Sequence, residues 1–233
     1  KVIQERAKEI GTKTISNGNN WGILSIDGTP SIKFSDTELA LPPPSLIGDH
    51  QIINAATAAI AAKQLTNLGI SDDAIRSGIQ NARWPGRLQN LDGVLAKYLP
   101  AGWSLWLDGG HNAAASEALA IVAKQWNDQP LHLIFGFLNS RDPQEFLGAL
   151  TDHIDTLQAV PIPGEEASLT AAETAGAARQ LGIVTEEAEG FAEALHRIVE
   201  QAEKPGRILI CGSLYLAGAV LAYEEAPPKG GAS

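Results

Sequence analysis

Beyond residue 104 the chain alternates between short apolar runs and stretches of helical periodicity. The runs cover residues 104–108, 131–137, 157–162, 207–211 and, more weakly, 183–185. They are continuously apolar rather than apolar at every second position. That pattern fits strands of a parallel sheet covered on both faces, so an α/β domain is expected. The helices between the runs carry start signals. Asp142-Pro143-Gln144-Glu145 combines an acidic cap with proline at the first helical position, and Thr170-Ala-Ala-Glu173 reads as a capping box. Gly182 closes that second helix, and Phe191, Ala194, Leu195, Ile198 and Val199 form the apolar stripe of the next.

The first 83 residues are patterned differently. Residues 2–10 predict a short helix with Val2, Ile3, Ala7 and Ile10 on one face, stopped by Gly11. Two β-like runs, 21–26 and 31–34, flank Asp27-Gly28-Thr29-Pro30 and predict a hairpin. Three consecutive prolines make residues 41–48 a rigid, extended connector. A longer helix follows, with Asp49 as its expected cap and Gly69 as its stop. Ile52, Ile53, Ala56, Ala59, Ile60 and Leu65 form its apolar face. A second helix over 72–81 starts after Ser71 and is expected to bury Ile75 and Ile79. Arg83-Trp84-Pro85-Gly86-Arg87-Leu88 then breaks the periodicity like a hinge, which places a domain boundary near residue 83. The end of the chain, from Glu224 and above all over 227–233, reads as a disordered tail.

Composition changes this picture only a little. With 233 residues and a hydrophobic fraction of 44%, the chain is long enough to bury a real core. A net charge of −10 argues against a general binder of nucleic acid or anionic membranes. No apolar run reaches the ~18 residues of a membrane span, so neither partner is expected. The one cysteine, Cys211, excludes an intrachain disulfide and fits a reducing, cytoplasmic setting. Within Ile208-Leu-Ile-Cys211 it reads as a small buried hydrophobe. The absence of methionine and the start at Lys1 suggest a trimmed or processed chain.

In open parallel sheets, ligands gather at the carboxyl ends of the strands. Here those ends carry Asp108-Gly-Gly-His111-Asn112, Gly136-Phe-Leu-Asn139-Ser-Arg141-Asp142 and Gly212-Ser213-Leu-Tyr215. A turn that opens a helix presents free N–H groups and suits phosphate or ribose. Asp108 needs partners, which are either the N–H groups of the next helix or a ribose hydroxyl. His111 either serves a ligand or caps that helix. Arg87 offers a planar fork that matches phosphate oxygens, or else makes a surface ion pair. The amide of Asn54 can pair with a purine edge, or is simply solvated. No Gly-x-x-x-x-Gly-Lys-Ser/Thr, Gly-x-Ser-x-Gly or Gly-x-Gly-x-x-Gly occurs, and the five histidines show no metal-ligand spacing.

Four motifs occur in order: His50-Gln51-Ile-Ile-Asn54-Ala55, Trp84-Pro-Gly-Arg87-Leu-Gln, Leu107-Asp-Gly-Gly-His111-Asn112 and Cys211-Gly-Ser213-Leu-Tyr215-Leu-Ala-Gly218. As a set they closely resemble the folylpolyglutamate synthase/dihydrofolate synthase family of the Mur ligase superfamily, over nearly the whole chain. The chain departs from that family in a longer segment over 93–102. Ala113 also stands where proline is frequent, and Arg141-Asp142 where Lys-Asp is frequent.

The resemblance implies that residues 1–83 are the truncated end of a central ATPase domain. Residues 84–226 would then be a C-terminal Rossmann-like domain with a mostly parallel sheet. It implies a part of an ATP-dependent ligase of folate biosynthesis and one-carbon metabolism, joining L-glutamate to dihydropteroate or folate through an acyl phosphate. By position, Asn54 would contact adenine, Arg87 the phosphates, and Asp108 the ribose or the hinge. His111 would lie near the phosphates or the acyl centre, and Ser213 and Tyr215 near glutamate. ATP and Mg2+ would be the cofactors, with the phosphate loop and the magnesium ligands in a missing N-terminal part. A monomer is expected, with no metal ligands of its own and no activity as a fragment. Two other readings stay open: a non-catalytic nucleotide- or metabolite-binding module, and a ligase that adds amino acids to a cell-wall precursor.

Overall fold

The computed structural model describes residues 2–26, 29–35 and 37–226, so Asp27, Gly28 and the tail expected over 227–233 lie outside the described residues. The chain divides into two compact units, Lys1–Arg83 and Trp84–Ser233.

The first unit contains α1 (Val2–Glu9), β1 (Trp21–Ile26), β2 (Thr29–Phe34), β3 (Thr37–Ala40), α2 (His50–Gln64) and α3 (Asp72–Asn81). The strands form an antiparallel meander in which Ile32 lies opposite both Ile23 and Leu39. Trp21, Ile32 and Leu39 pack against Ala56, Ala59, Ile60, Ile75 and Ile79 of the helices. Strand β3 has only four residues and buries only Leu39, too little for a period to show in sequence.

Several expectations for this unit need correction. Helix α1 buries Ala7 alone, and Val2, Ile3 and Ile10 are exposed. Ile53 and Leu65 of the expected α2 face are exposed as well. Asp49 does not cap α2. Its backbone is already helical, at φ −59° and ψ −32°, and its side chain accepts no cap hydrogen bond. A cap needs extended backbone for its oxygen to reach the free N–H groups. Ser71 has that geometry, and its hydroxyl accepts from the Ala74 N–H at 3.1 Å, as expected for α3.

The second unit contains β4 (Gln89–Leu91), β5 (Ser104–Leu107), α4 (Ala113–Gln125), β6 (Leu131–Phe135), α5 (Pro143–Leu147), β7 (Thr156–Ala159), α6 (Ala171–Gln180), β8 (Thr185–Glu187), α7 (Phe191–Gln201), β9 (Arg207–Cys211) and α8 (Leu214–Glu225). They build a six-stranded sheet in the order β4-β5-β9-β6-β7-β8. All neighbours are parallel except β4, which runs antiparallel to β5. Leu131, Leu133 and Phe135 of β6 face one core with Leu119, Val122 and Phe146. Ile134, Ile208 and Ile210 face the other with Leu195, Ile198 and Leu216. Burial on both faces is why these strands read as continuous apolar runs.

The capping box of α6 and the Asp142 cap of α5 form as expected. Strand β8 lies over 185–187 rather than 183–185. Edge strand β4 and helix α8 had no sequence expectation. Glu224 and Glu225, expected in the tail, instead complete α8. The Glu224 carboxylate accepts the Val94 and Leu95 N–H groups at 2.5 and 2.9 Å, which ties the long 93–102 segment to the end of the chain's last helix.

At the amino end of β6, the His132 imidazole is buried. Its Nδ1 meets the Thr156 hydroxyl at 2.8 Å, while Nε2 has no partner among the described residues. Burial pushes its pKa down, against a smaller upward pull from the Asp155 charge. The folded chain therefore resists protonation that the unfolded chain accepts near the ordinary histidine value of 6.5. Stability contributed here is complete above that pH and falls as the pH drops below it, by at most about 1.4 kcal/mol per pH unit for one proton. Urea unfolding between pH 8 and pH 5 is expected to show a flatter pH dependence in His132→Gln than in the wild type. Parallel curves would refute the assignment.

Candidate functional site

Strand β9 returns between β5 and β6, which places three carboxyl ends side by side. Leu107 lies opposite Ile210, and Cys211 opposite Phe135. Their loops therefore open on one edge of the sheet, at the switch point where α/β folds bind ligands. The Asp108 N–H continues the ladder to the Ile210 carbonyl at 2.9 Å, and the Gly136 N–H reaches the Cys211 carbonyl at 3.4 Å. Gly212 has φ +110°, and a Cβ there would lie 2.6 Å from both the Gly136 carbonyl oxygen and the Phe135 ring. The β9 and β6 loops can approach this closely only because residue 212 is glycine.

The segment that opens the second unit is clamped to the loop after β5. The Gly109 N–H donates to the Gly86 carbonyl at 2.7 Å, and the Leu88 N–H donates to the Asp108 carboxylate at 2.8 Å. The other carboxylate oxygen accepts the Gly110 N–H at 2.6 Å. Asp108 is buried, as its position after an apolar run required it to have partners. Between these anchors Leu88 sits at φ +39°, a conformation that costs a non-glycine residue about 1–2 kcal/mol. No sequence signal marks a left-handed leucine. Arg87, just before it, is half-buried, and its guanidinium makes no ion pair among the described residues.

His111 is half-buried, with Nδ1 3.1 Å from the Gly109 carbonyl. A carbonyl only accepts, so this contact is a hydrogen bond when Nδ1 carries the proton, which leaves Nε2 as an acceptor. His111 does not cap α4. Asn112 does, its Oδ1 accepting the Ala115 N–H at 3.0 Å. From the loop after β6, exposed Arg141 extends its guanidinium toward the His111 carbonyl at 3.4 Å. Ser213 is buried and caps α8 through the Tyr215 N–H at 3.0 Å, whereas the Tyr215 side chain is exposed. Cys211 is buried, and its thiol pKa is raised well above the usual value by burial and secondarily by the Asp108 charge. A neutral thiol of this kind is packing, not a nucleophile.

Asn54 belongs to the first unit, on α2. It is exposed, and its amide donates to Gln51 Oε1 at 3.0 Å, while Gln51 in turn meets the His50 ring at 2.8 Å. The His-Gln-x-x-Asn motif is thus one hydrogen-bonded chain whose middle member, Gln51, is buried. The spacing showed the motif but not this linkage. Among the described residues, no three His, Cys, Asp or Glu side chains gather where a metal could sit. No helix there is long and apolar enough to cross a membrane.

The second unit is thus an α/β domain whose switch point carries a clamped Asp-Gly-Gly-His-Asn turn, Arg87, Arg141 and a helix start capped by Ser213, the place where such folds bind ligands. Residues 86–214, over half of the chain, match the Mur ligase glutamate ligase domain, and the chain belongs to that family. It is 31% identical to the folylpolyglutamate synthase of Lacticaseibacillus casei, over 94% of this chain and 51% of that protein. It also resembles the structure of Escherichia coli FolC in complex with DHPP and ADP, at 26% identity and a TM-score of 0.78, covering 96% of this chain and 50% of that one. The fold is shared with a bifunctional folylpolyglutamate synthase/dihydrofolate synthase from Yersinia pestis, solved with AMPPNP and a Mn ion. There the identity is 24% and the TM-score 0.76, over 94% of this chain and 49% of that one. The chain spans about half the length of each of these relatives.

Proposed function

We propose that this chain supplies the glutamate-ligase half of an ATP-dependent enzyme that joins L-glutamate to dihydropteroate or folate. The observation that carries this reading is the meeting of the loops after β5, β9 and β6 at one sheet edge, inside the segment that matches the glutamate ligase domain. On this reading residues 1–83 are the end of the central ATPase domain, and residues 84–226 form the C-terminal domain. ATP, when bound, supplies the phosphoryl group that activates a substrate carboxylate as an acyl phosphate.

The residues of this chain act on charge and geometry. Arg87 presents a guanidinium with no ion-pair partner among the described residues to phosphate oxygens, and stabilises the charge that develops on them. His111, with Nδ1 donating to Gly109, keeps Nε2 available to take a proton from the attacking glutamate amine. Tyr215, exposed at the start of α8, contacts glutamate, and Ser213 holds that helix start in place. Asn54, oriented by Gln51, meets the adenine edge. The metal is different. On this reading the magnesium ion that accompanies ATP takes its protein ligands from residues outside this chain, since no three His, Cys, Asp or Glu side chains gather among the described residues.

The phosphate cradle has to come from residues other than these 233, which contain no phosphate-loop motif. The chain alone is therefore expected to release no ADP when given ATP, glutamate and dihydropteroate. Joined to a segment that carries such a loop, it is expected to form the amide. Glutamate-dependent ADP release by the isolated chain would overturn this assignment.

A further inference from the structure

We propose that Asp108 is a positioning residue, which aims the Arg87 side chain by holding the neighbouring Leu88 in left-handed backbone. The inference rests on the reading of Arg87 as a phosphate-facing cation, and assigns that cation its support.

Three contacts carry it. The Asp108 carboxylate accepts the Leu88 N–H at 2.8 Å and the Gly110 N–H at 2.6 Å, so one side chain fixes both the segment just before β4 and the turn after β5. The Gly109 N–H holds the Gly86 carbonyl at 2.7 Å on the other side of Arg87. Arg87 is thus the residue between two backbone anchors that both lead to the Asp108-Gly-Gly turn. Leu88 at φ +39° keeps a conformation that an isolated leucine leaves readily. Its buried side chain pins one end, and the carboxylate pins the amide. When the carboxylate is lost, the peptide between Arg87 and Leu88 is free to rotate toward negative φ, and the guanidinium turns with it. Strain kept in place by specific contacts beside a cation is the pattern expected where a side chain is pre-aimed for a ligand.

The sign of one substitution separates this role from simple electrostatics. Asp108 is an anion near an expected anion site, so charge alone predicts that Asp108→Asn binds polyphosphate more tightly. Positioning predicts weaker binding, because the amide cannot accept both N–H groups in the same geometry.

The test uses the whole chain as wild type, Asp108→Asn, Arg87→Ala and the double variant, with inorganic tripolyphosphate as the probe in calorimetry. Amide hydrogen exchange is read at Leu88 and at Ile134. Asp108→Asn is expected to weaken binding about threefold or more, and the double variant to bind no worse than Arg87→Ala, as required if one residue acts through the other. Leu88 exchange is expected to rise about tenfold or more in Asp108→Asn while Ile134 stays protected. Tighter binding in Asp108→Asn, additive losses in the double variant, or unchanged Leu88 exchange would each overturn the proposal. If wild type and Arg87→Ala bind the probe alike, Arg87 is not an anion ligand and the functional reading fails at that residue. Leu88 exchange then decides by itself whether Asp108 holds the segment.

Discussion

Gly212→Ala is expected to destabilise the second unit by about 3–5 kcal/mol. Two costs add. At φ +110° an alanine sits outside its allowed backbone regions. Its Cβ would also lie 2.6 Å from the Gly136 carbonyl oxygen and from the Phe135 ring, neither of which can give way. Gly136 is part of the backbone that joins the β6 loop to β9, and Phe135 is fully buried among Phe137 and Phe146. The relief available is to push the β9 loop away from β6, which separates Ser213 and α8 from the rest of the site. Urea unfolding of the purified chain measures the loss. A change under about 1 kcal/mol would show that the two loops are not in the contact described.

Arg87→Ala carries the second large effect, on rate rather than on stability. In the chain joined to a phosphate-loop segment, kcat is expected to fall about 100- to 1000-fold, the usual loss when one preorganised charge aimed at a transition state is removed. Stability is expected to change by no more than about 0.5 kcal/mol, because the guanidinium makes no ion pair among the described residues. Arg87→Lys keeps the charge without the fork and is expected to recover part of the rate. Steady-state ADP release with ATP, glutamate and dihydropteroate gives the numbers. A large fall in melting temperature with little change in kcat would make Arg87 a structural residue and remove it from the site.

These two residues show how differently parts of the site could be read. Arg87 was visible as a chemical type inside a motif, and its position beside a proline and a glycine suggested a hinge. Gly212 was visible only as a turn residue, since its close approach to Gly136 joins positions 76 residues apart in sequence. Asp108 stood out because a carboxylate after an apolar run needs partners. Which partners it has, the Leu88 and Gly110 amides, depends on a segment twenty residues earlier lying across the turn. Ser213 and Asn112 read as polar site residues, and both cap helices.

The sequence by itself determined the α/β class, the break near residue 83, the caps at Ser71, Asp142 and Thr170, and the three polar loops at the carboxyl ends of the strands. These follow from local rules: runs buried on two faces, short side chains that reach free N–H groups, and glycines at turns. Only the tertiary structure decided the order β4-β5-β9-β6-β7-β8, which brings the last strand between β5 and β6. It also decided the edge strand β4, the exposure of Val2, Ile3, Ile10 and Ile53, and the strained Leu88. Strand order and exposure depend on what each apolar face meets, and a single sequence records the face without its partner.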